Sequence, residues 1–539
     1  MMSRVSFARN IADNRCTAAI EQLWDEVTTF QHIRVELELS PIRVQGFVLE
    51  QPRNPVFKIG IRPFGNQSVY LRMVATIGQV LQQNFPQLTE FHCSVSVHLD
   101  YRFPEVWRGL ATNRVLKEVT MSSFRVPDGP DTTRFLISPA LESLSFSSCN
   151  FVDRAFASFC QGIATSTMRH LEIRSCGLAP GDSWVLLWSA LARGAAAVES
   201  LSVVLQREAN APIVDGFEAF LTNNTTIQNL HLDDFLSHRE SVAFVGALGR
   251  ALAVNKTVKQ IQLPFSYLRN GGPSDEELIR TMFAEGFNRN VSVERLRICI
   301  HTGPKAVDAL LDGLEKMMLH RASAAMHDAG IEADSRPVLK EFDITLYPCH
   351  GIENQTTQNV LDYLLRRLGR NDVIPIEKLT VKWNEFGMTM PQAVLDLVRS
   401  TRVLRSLDVS FFGWNPNDAV FTDLVNAMET NKSVAELTIG RTEFHTATNL
   451  LSFPNKYRIR FWCRRNEIRM DRLRDGSNMS ALPLVLSRLL TDDKAADGDD
   501  HSKMEACRLV DRSLAFELLK DVPELFTSAG HSKRQRVGL

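Results

Sequence analysis

The sequence predicts an α/β fold in which one strand and helix unit repeats to build a horseshoe-shaped solenoid, with a parallel β-sheet on the concave face and helices on the convex face. Three observations predict it. The chain has 539 residues, more than one hydrophobic core usually serves, so it must form several domains or a repeat array. A short pattern of alternating apolar residues recurs along most of it. A polar segment rich in asparagine and threonine precedes many of the copies.

The recurring pattern spans six residues and has apolar residues at its first, fourth and sixth positions. Because side chains alternate along a strand, the fourth and sixth residues would both face the core, so each copy predicts a strand. The spacing corresponds to one repeat of about 28 to 30 residues, with insertions near 270 and at 320–337. The copies start at Leu88, Leu116, Leu141, Met168, Val198, Ile227, Val258, Val293, Leu339, Ile376, Leu404 and Val434.

Helices are predicted between the strands. One apolar stripe at helical spacing follows Thr302, a candidate N-cap. It comprises Val307, Leu310, Leu311, Leu314, Met317 and Met318. A second stripe comprises Val420, Leu424 and Met428. Four asparagines, each the first residue of an N-x-S/T sequon, stand where a helix should end: Asn224, Asn255, Asn290 and Asn431. We attribute them to a left-handed helix end, which asparagine tolerates, and we interpret the sequons as by-products.

The segment LEIRSCGLAPGD, residues 171–182, resembles the strand and turn of leucine-rich repeats of the ribonuclease-inhibitor type. Cys176 occupies the Asn/Cys position of that family, and Cys149 and Asn384 occupy it in two other copies. The overall sequence, including the closing segments FWCRRN, LPLVLSRLL and LAFELLKDVPELF, is also similar to repeat proteins of diatoms. The leucine-rich-repeat resemblance covers roughly residues 86–450. It implies a concave face that binds partners. Six copies depart from the pattern, with Phe235, Ser266, His301, Tyr347, Phe412 and Thr442 at that position.

The two ends of the array should be capped, because an open stack would expose its core. The repeats are predicted over residues 87–453, as about 11 or 12 units. The flanking regions are an N-terminal strand and helix cap at 1–86, a helical C-terminal cap at 454–490, an acidic linker at 491–500, a C-terminal helix at 501–528 and a disordered basic tail at 529–539.

Composition favours a soluble protein of the cytoplasm, with the nucleus as the alternative. Lysine and arginine number 61 against 62 acidic residues, so no global field attracts nucleic acid or a membrane. The nine cysteines include no CxxC pair, which indicates reduced thiols rather than disulfides or a metal site. The start of the chain shows no secretory signal, and no apolar run is long enough to span a membrane. Lys533, Arg534 and Arg536 are typical of a weak nuclear-import signal.

Candidate binding residues are those that alternate with the buried positions and so face out of the concave wall. Their charges alternate from strand to strand, which favours a protein partner, because a phosphate backbone would need a continuous basic track. Alternatively, they are solvated residues paired across strands. The candidates are His170, Glu172, Arg174, His231, Asp233, Arg295, Arg297, Glu341, Asp343, Lys378, Lys382 and Asp408, with Asn229, Gln260, Gln262 and Ser406 at equivalent positions.

The basic segment at residues 456–474 combines arginines with aromatic residues and leaves two interpretations open. Such a composition can bind RNA by stacking bases. However, Ile459, Trp462 and Cys463 share one helical face, which favours a cap that buries its aromatics and leaves its arginines in water.

Motifs for catalysis are absent from the sequence: no phosphate-binding loop, zinc-protease motif or nucleophile elbow occurs. Cys349 and His350 could be a nucleophile and base, but neighbours on a strand point in opposite directions. Glu341 and Asp343 share a face without a pocket to shift their pKa values. We therefore predict a non-enzymatic protein-interaction scaffold or adaptor without cofactor or metal. The alternatives are an activating protein of a small GTPase and a substrate-recognition subunit of a ubiquitin ligase.

Overall fold

The computed structural model describes residues 34–38, 56–61, 77–79, 81–84, 89–95, 103–152, 154–178, 183–192, 197–204, 211–233, 241–264, 274–301, 304–329, 339–347, 354–370, 374–386, 392–412, 418–439, 442–443, 459, 462–463 and 465–467. The chain divides into two compact units, Met1–Val293 and Glu294–Leu539, which we call unit 1 and unit 2. The two units are described separately.

Unit 1 contains strands that lie mainly in one predominantly parallel sheet. They are β1 (Arg34–Glu38), β2 (Val56–Ile61), β3 (Glu90–Val95), β4 (Glu118–Ser122), β5 (Arg125–Val126), β6 (Ser143–Ser147), β7 (Asn150–Phe151), β8 (His170–Arg174), β9 (Ser200–Val204), β10 (Asn229–Asp233) and β11 (Gln260–Pro264). β1 and β2 pair antiparallel, and from β2 onward the order β2, β3, β4, β6, β8, β9, β10, β11 is parallel throughout. β5 and β7 form a separate small parallel pair.

The helices of unit 1 alternate with these strands, and most pack on the next helix along the chain. They are α1 (Pro104–Thr112), α2 (Pro130–Leu136), α3 (Ala155–Ala164), α4 (Val185–Ala192), α5 (Ala211–Asn223), α6 (Ser241–Val254) and α7 (Asp275–Glu285), followed by a 3-10 turn at Phe287–Arg289. Helix α7 begins at a local signal, because the Ser274 side chain accepts a hydrogen bond from the Glu277 N–H at 3.2 Å. Acidic residues in its first turn favour the positive end of the helix dipole.

Unit 2 has the same alternation of strand and helix. Its strands are β12 (Arg295–His301), β13 (Leu339–Tyr347), β14 (Ile376–Phe386), β15 (Ser406–Phe412), β16 (Glu436–Ile439) and β17 (Thr442–Glu443). Its helices are α8 (Pro304–Ala329), α9 (Asn354–Arg370), α10 (Gln392–Ser400) and α11 (Asp418–Thr430). β12 to β16 are parallel neighbours in chain order, and β17 turns back antiparallel on β16. Helix α8 runs into the predicted insertion as far as Ala329.

The predicted strands are confirmed, since every copy of the repeated pattern begins or leads directly into one of the strands β3 to β16. The apolar positions are buried as expected: Leu230 is 1% exposed and Leu232 is 3% exposed. The stripe from Val307 to Met318 is buried as well. Aromatic rings extend this core through unit 1 in a continuous row, for example with Trp188 and Phe217 at 5.3 Å and Phe217 and Phe244 at 4.5 Å between centroids. An α/β fold consistent with a solenoid-like repeat follows.

The asparagines that follow the helices differ from the prediction in conformation. They do stand after helix ends, but Asn290 has an extended backbone with φ −68° and ψ 132°, and none of the four has a positive φ. The left-handed residues instead include three serines that follow β4, β6 and β8, namely Ser123, Ser148 and Ser175. The prediction of a left-handed helix end was therefore wrong.

The asparagine side chains hold neighbouring repeats together. Oδ1 of Asn255 accepts from the N–H groups of Thr257 and Val258 at 2.9 Å each. Its Nδ2 donates backward to the carbonyls of Leu221 at 2.7 Å and Asn224 at 3.0 Å. The amide thus satisfies buried backbone groups of two repeats at once. The same arrangement recurs at Asn113, Asn224, Asn290 and Asn431.

The structure describes parts of the two predicted end regions. β1 and β2 lie within the predicted N-terminal cap, and residues 77–79 and 81–82 are helical there. Within the predicted C-terminal cap, Ile459, Trp462 and Cys463 are buried. The expectation that the arginines remain in water is wrong for Arg465, which lies over the Trp462 ring at 4.3 Å and donates to the Glu429 carbonyl at 3.1 Å.

Several predictions lie outside the described residues: Thr302, the pair Cys349 and His350, the linker at 491–500, the helix at 501–528 and the tail at 529–539. Among the described helices, none is both long and apolar enough to cross a membrane.

Candidate functional site on the open face of the sheets

We call the side of each sheet opposite its buried apolar residues the open face. Burial alternates along the strands, with half-exposed residues between buried ones, as in β6 and β4. All the candidate residues predicted from the sequence occupy open-face positions of their strands, because they alternate with the buried apolar residues. The side chain of Asp233 lies outside the described residues.

Unit 1 carries a hollow of about 280 Å³ on its open face, lined by residues of β6, β8, β9, β10 and β11. Its shape follows from side-chain length. β6 and β9 present only serines here, whereas β8 and β10, on either side of β9, present long side chains. The lining residues of the open face are Ser143, Ser145, His170, Glu172, Arg174, Ser200, Ser202, Asn229, His231, Gln260 and Gln262.

Hydrogen bonds and one ion pair order the side chains around the hollow. The Ser145 hydroxyl donates to Glu172 Oε2 at 2.7 Å, and Glu172 also pairs with Arg174. The Ser202 hydroxyl and His231 Nδ1 are 3.2 Å apart. The hollow therefore offers hydroxyl, amide and imidazole groups with little net charge. Four of the predicted candidates, His170, Glu172, Arg174 and His231, come together here.

The serines of the hollow were not among the predicted residues. A signal for them exists, because the copies LESLSF and VESLSV both carry serine at the third and fifth positions of the pattern. Serine is so common on surfaces that this signal has meaning only when the neighbouring strands are known.

Unit 2 carries two rows of alternating charge on its open face. The first row is Arg295, Glu341 and Lys378, which face one another across β12, β13 and β14. Glu341 is 3.9 Å from Arg295 Nε and 3.5 Å from Lys378 Nζ. The pairing across strands that the sequence left as an alternative is therefore present.

The second row is Arg297, Asp343 and Lys382. Asp343 Oδ2 is 2.6 Å from Arg297 Nε and 3.4 Å from Lys382 Nζ. Lys382 approaches diagonally, because the residue paired with Asp343 on β14 is Thr380. The remaining predicted acid of unit 2, Asp408, lies on β15 and accepts a hydrogen bond from the Ser410 hydroxyl at 2.7 Å.

The two rows differ from the prediction in which residues reach solvent. The Asp343 side chain is 3% exposed and that of Glu341 is 26% exposed, whereas Arg297 is 39% and Lys382 47% exposed. The expectation that Asp343 faces outward to solvent is wrong, because its short side chain lies beneath the two long cations beside it. Its Oδ1 is buried and has no hydrogen-bond partner within the described ranges. The two rows thus present mainly cations to solvent.

A second charge pattern, which the sequence reading missed, runs along the edge where the strands begin. The second residue of the repeated pattern alternates in sign between several successive copies, and pairs form at 2.8 Å between Lys117 and Glu142 and at 2.6 Å between Lys340 and Glu294. The hydrogen bond from Lys117 lowers the pKa of Glu142 below its usual value. These pairs favour the observed register of neighbouring strands, and we assign them no binding role.

Residue types that bind metals do not assemble a metal site in the part of the chain that the structure describes. No cluster of three or more histidine, cysteine or acidic residues is placed to hold a metal ion there. Cys149 and Cys176 are buried free thiols. Each donates to a carbonyl of the preceding repeat, Cys149 to Met121 at 3.4 Å and Cys176 to Phe146 at 3.6 Å. Both cysteines therefore link successive repeats.

Fold and site together define an α/β repeat protein whose strands alternate with helices and carry an open polar face. In comparisons with known proteins, no protein-family model and no curated protein matches this chain.

Proposed function

We propose that the chain is a leucine-rich-repeat protein of the ribonuclease-inhibitor type, and that it acts as a non-enzymatic scaffold or adaptor. In this proposal the sheet lines the concave face of a horseshoe, and a protein partner binds there. The observation that carries the proposal is the hollow of unit 1, to which five neighbouring strands contribute polar side chains.

The size and chemistry of the hollow favour a protein over a small molecule. At about 280 Å³ it lies just below the range of roughly 300 to 1,000 Å³ typical of small-molecule sites. It has room for one or two side chains of a partner, and the rest of the open face around it supplies further contact area. Hydroxyl, amide and imidazole groups both donate and accept hydrogen bonds, as peptide groups and polar side chains of a partner require.

The test uses the full chain with a variant that fills the hollow. Ser202→Trp places a bulky ring between β8 and β10, and Thr222→Trp, on the exposed side of α5, is the matched control. Thermal unfolding should first show that both variants fold like the wild type. Partners are then identified by affinity purification and mass spectrometry from the native cells, and the strongest is produced in pure form for calorimetry.

We expect Ser202→Trp to weaken the purified complex at least tenfold and Thr222→Trp to leave it unchanged. Equal affinity of the partner for all three proteins would show that binding lies elsewhere, and the proposal would be wrong.

A further inference from the structure

The two charged rows of unit 2 contain more cations than acids, and their acids lie deeper than their cations. Each row places one carboxylate between two cations, so each row has a net charge of one positive unit. Glu341 and Asp343 are 26% and 3% exposed, whereas the side chains of Arg295 and Lys378 are 54% and 47% exposed. A ligand that approaches this face meets the cations first.

The cations of the two rows, Arg295, Arg297, Lys378 and Lys382, form a short basic patch. On the far side of β14, the next strands carry the acidic residues Asp408 on β15 and Glu436 on β16. A nucleic acid would gain its affinity from a continuous series of phosphate contacts, which these acids interrupt. A peptide with a few carboxylates needs only the patch itself. Charge complementarity therefore favours an acidic segment of a protein.

The spacing of the rows defines how such a segment would lie. Arg295 and Arg297 are two residues apart on one strand, a distance of about 6.8 Å. Alternate side chains of an extended peptide have the same spacing of about 6.8 Å, so carboxylates at positions i and i+2 each meet one row.

We propose that the open face of unit 2 binds an extended acidic segment of a partner protein, with aspartate or glutamate at alternate positions on the two rows. This inference rests on the proposed function, because both assign partner binding to the open face. The resident carboxylates have a part in it: Asp343 holds Arg297 and Lys382 in place before the partner arrives, which reduces the ordering cost of binding. Binding is expected to weaken as salt increases.

The test measures fluorescence anisotropy of a labelled synthetic peptide that alternates glutamate and serine, titrated with the full chain at low and at moderate salt. A peptide with glutamine for every glutamate is the probe control. The test protein carries Lys378→Gln and Lys382→Gln. The matched control carries Lys316→Gln and Lys432→Gln, which remove the same charge from exposed positions of unit 2 off the open face.

We expect the variant of the patch to bind the glutamate peptide at least tenfold more weakly than wild type, and the control to stay within about twofold. The glutamine peptide should not bind. Equal weakening in both proteins, no binding to the wild type, or stronger competition by oligouridine than by unlabelled peptide would each overturn the inference. If the double variant unfolds early, Arg295→Gln gives the same readout, because its side chain is 54% exposed.

Two further proteins separate the possible failures. Ser202→Trp should bind the glutamate peptide normally; if the peptide fails to bind wild type while Ser202→Trp still loses the partner, only this inference fails. If Ser202→Trp also retains the partner, the proposed function fails together with this inference.

Residues 491–500 contain five aspartates and one lysine. Peptide binding only after those aspartates are changed to asparagine would assign the patch to that segment of the same chain and overturn a partner in trans.

Discussion

Replacement of Asn255 by alanine should destabilise unit 1 by about 4 kcal/mol. The amide makes four hydrogen bonds with backbone groups, namely the N–H groups of Thr257 and Val258 and the carbonyls of Leu221 and Asn224. Asn255 is 4% exposed, so water does not reach the groups that alanine leaves unpaired. Each lost hydrogen bond costs about 1 kcal/mol, so four of them cost about 4 kcal/mol. The upper range is set by the backbone groups that stay buried without a partner, which cost about 1 to 3 kcal/mol each.

The assay is urea unfolding of the full chain followed by circular dichroism, with Asn223→Ala as the control. Asn223 is the neighbouring asparagine of the preceding repeat, and its side chain donates to the Ala219 carbonyl on the exposed side of α5. Its loss should cost less than about 0.5 kcal/mol. A repeat array unfolds in segments, so hydrogen exchange at β10 and β11 should locate the loss. A cost below about 1 kcal/mol for Asn255→Ala, or one equal to that of the control, would refute the asparagine side chain as a source of stability between repeats.

Two further predictions concern stability. Leu230 is 1% exposed, and Leu230→Asp should lower the stability of unit 1 by more than about 4 kcal/mol in urea unfolding. The control Asn229→Asp, on the open face, should change the stability little. Similar losses in both variants would contradict the assigned strand faces. Asp362 has a pKa raised above its ordinary 3.8, first by burial and then by Asp396, with Arg366 opposing. The ionised carboxylate of Asp362 therefore lowers the free energy of unfolding above the folded-state pKa, and this loss disappears below pH 3.8. Asp362→Asn should raise the melting temperature at pH 7 and should no longer raise it in acid. An equal gain at every pH would exclude ionisation as the cause.

The strands were predictable because one face of each strand packs against the core and the other faces water. Leu230 and Leu232 alternate with Asn229 and His231 in the sequence, and the same alternation appears in the burial of β10. The asparagines were recognised by position, but their role was not, since Asn255 meets a carbonyl 34 residues earlier in the chain. A local pattern contains no information about that partner. From local sequence alone, an asparagine after a helix indicates a left-handed helix end. The structure shows instead that the asparagine side chain bonds to the preceding repeat.

The candidate site was predictable to the level of which residues share the open face. Which of them are exposed was not, because exposure depends on register and on side-chain length together. Asp343 is covered since Arg297 pairs with it across the strands and Lys382 reaches it diagonally. Likewise, serines make a hollow only because β9 lies between two strands with longer side chains.

The sequence by itself determined the strand and helix repeat, the residues of the core and the residues of the open face, since the periods of two and about 3.6 residues follow from backbone geometry and the burial of apolar groups. Only the tertiary structure decided how the repeats are joined and what the open face presents. Those features arise from contacts between residues roughly 30 positions apart, such as the amide of Asn255 with the carbonyl of Leu221, and from the stacking that brings Arg297 over Asp343. Side chains at equivalent open-face positions of the strands differ in their surroundings. Each becomes a buried anion, an exposed cation or the floor of a hollow according to its neighbours in space.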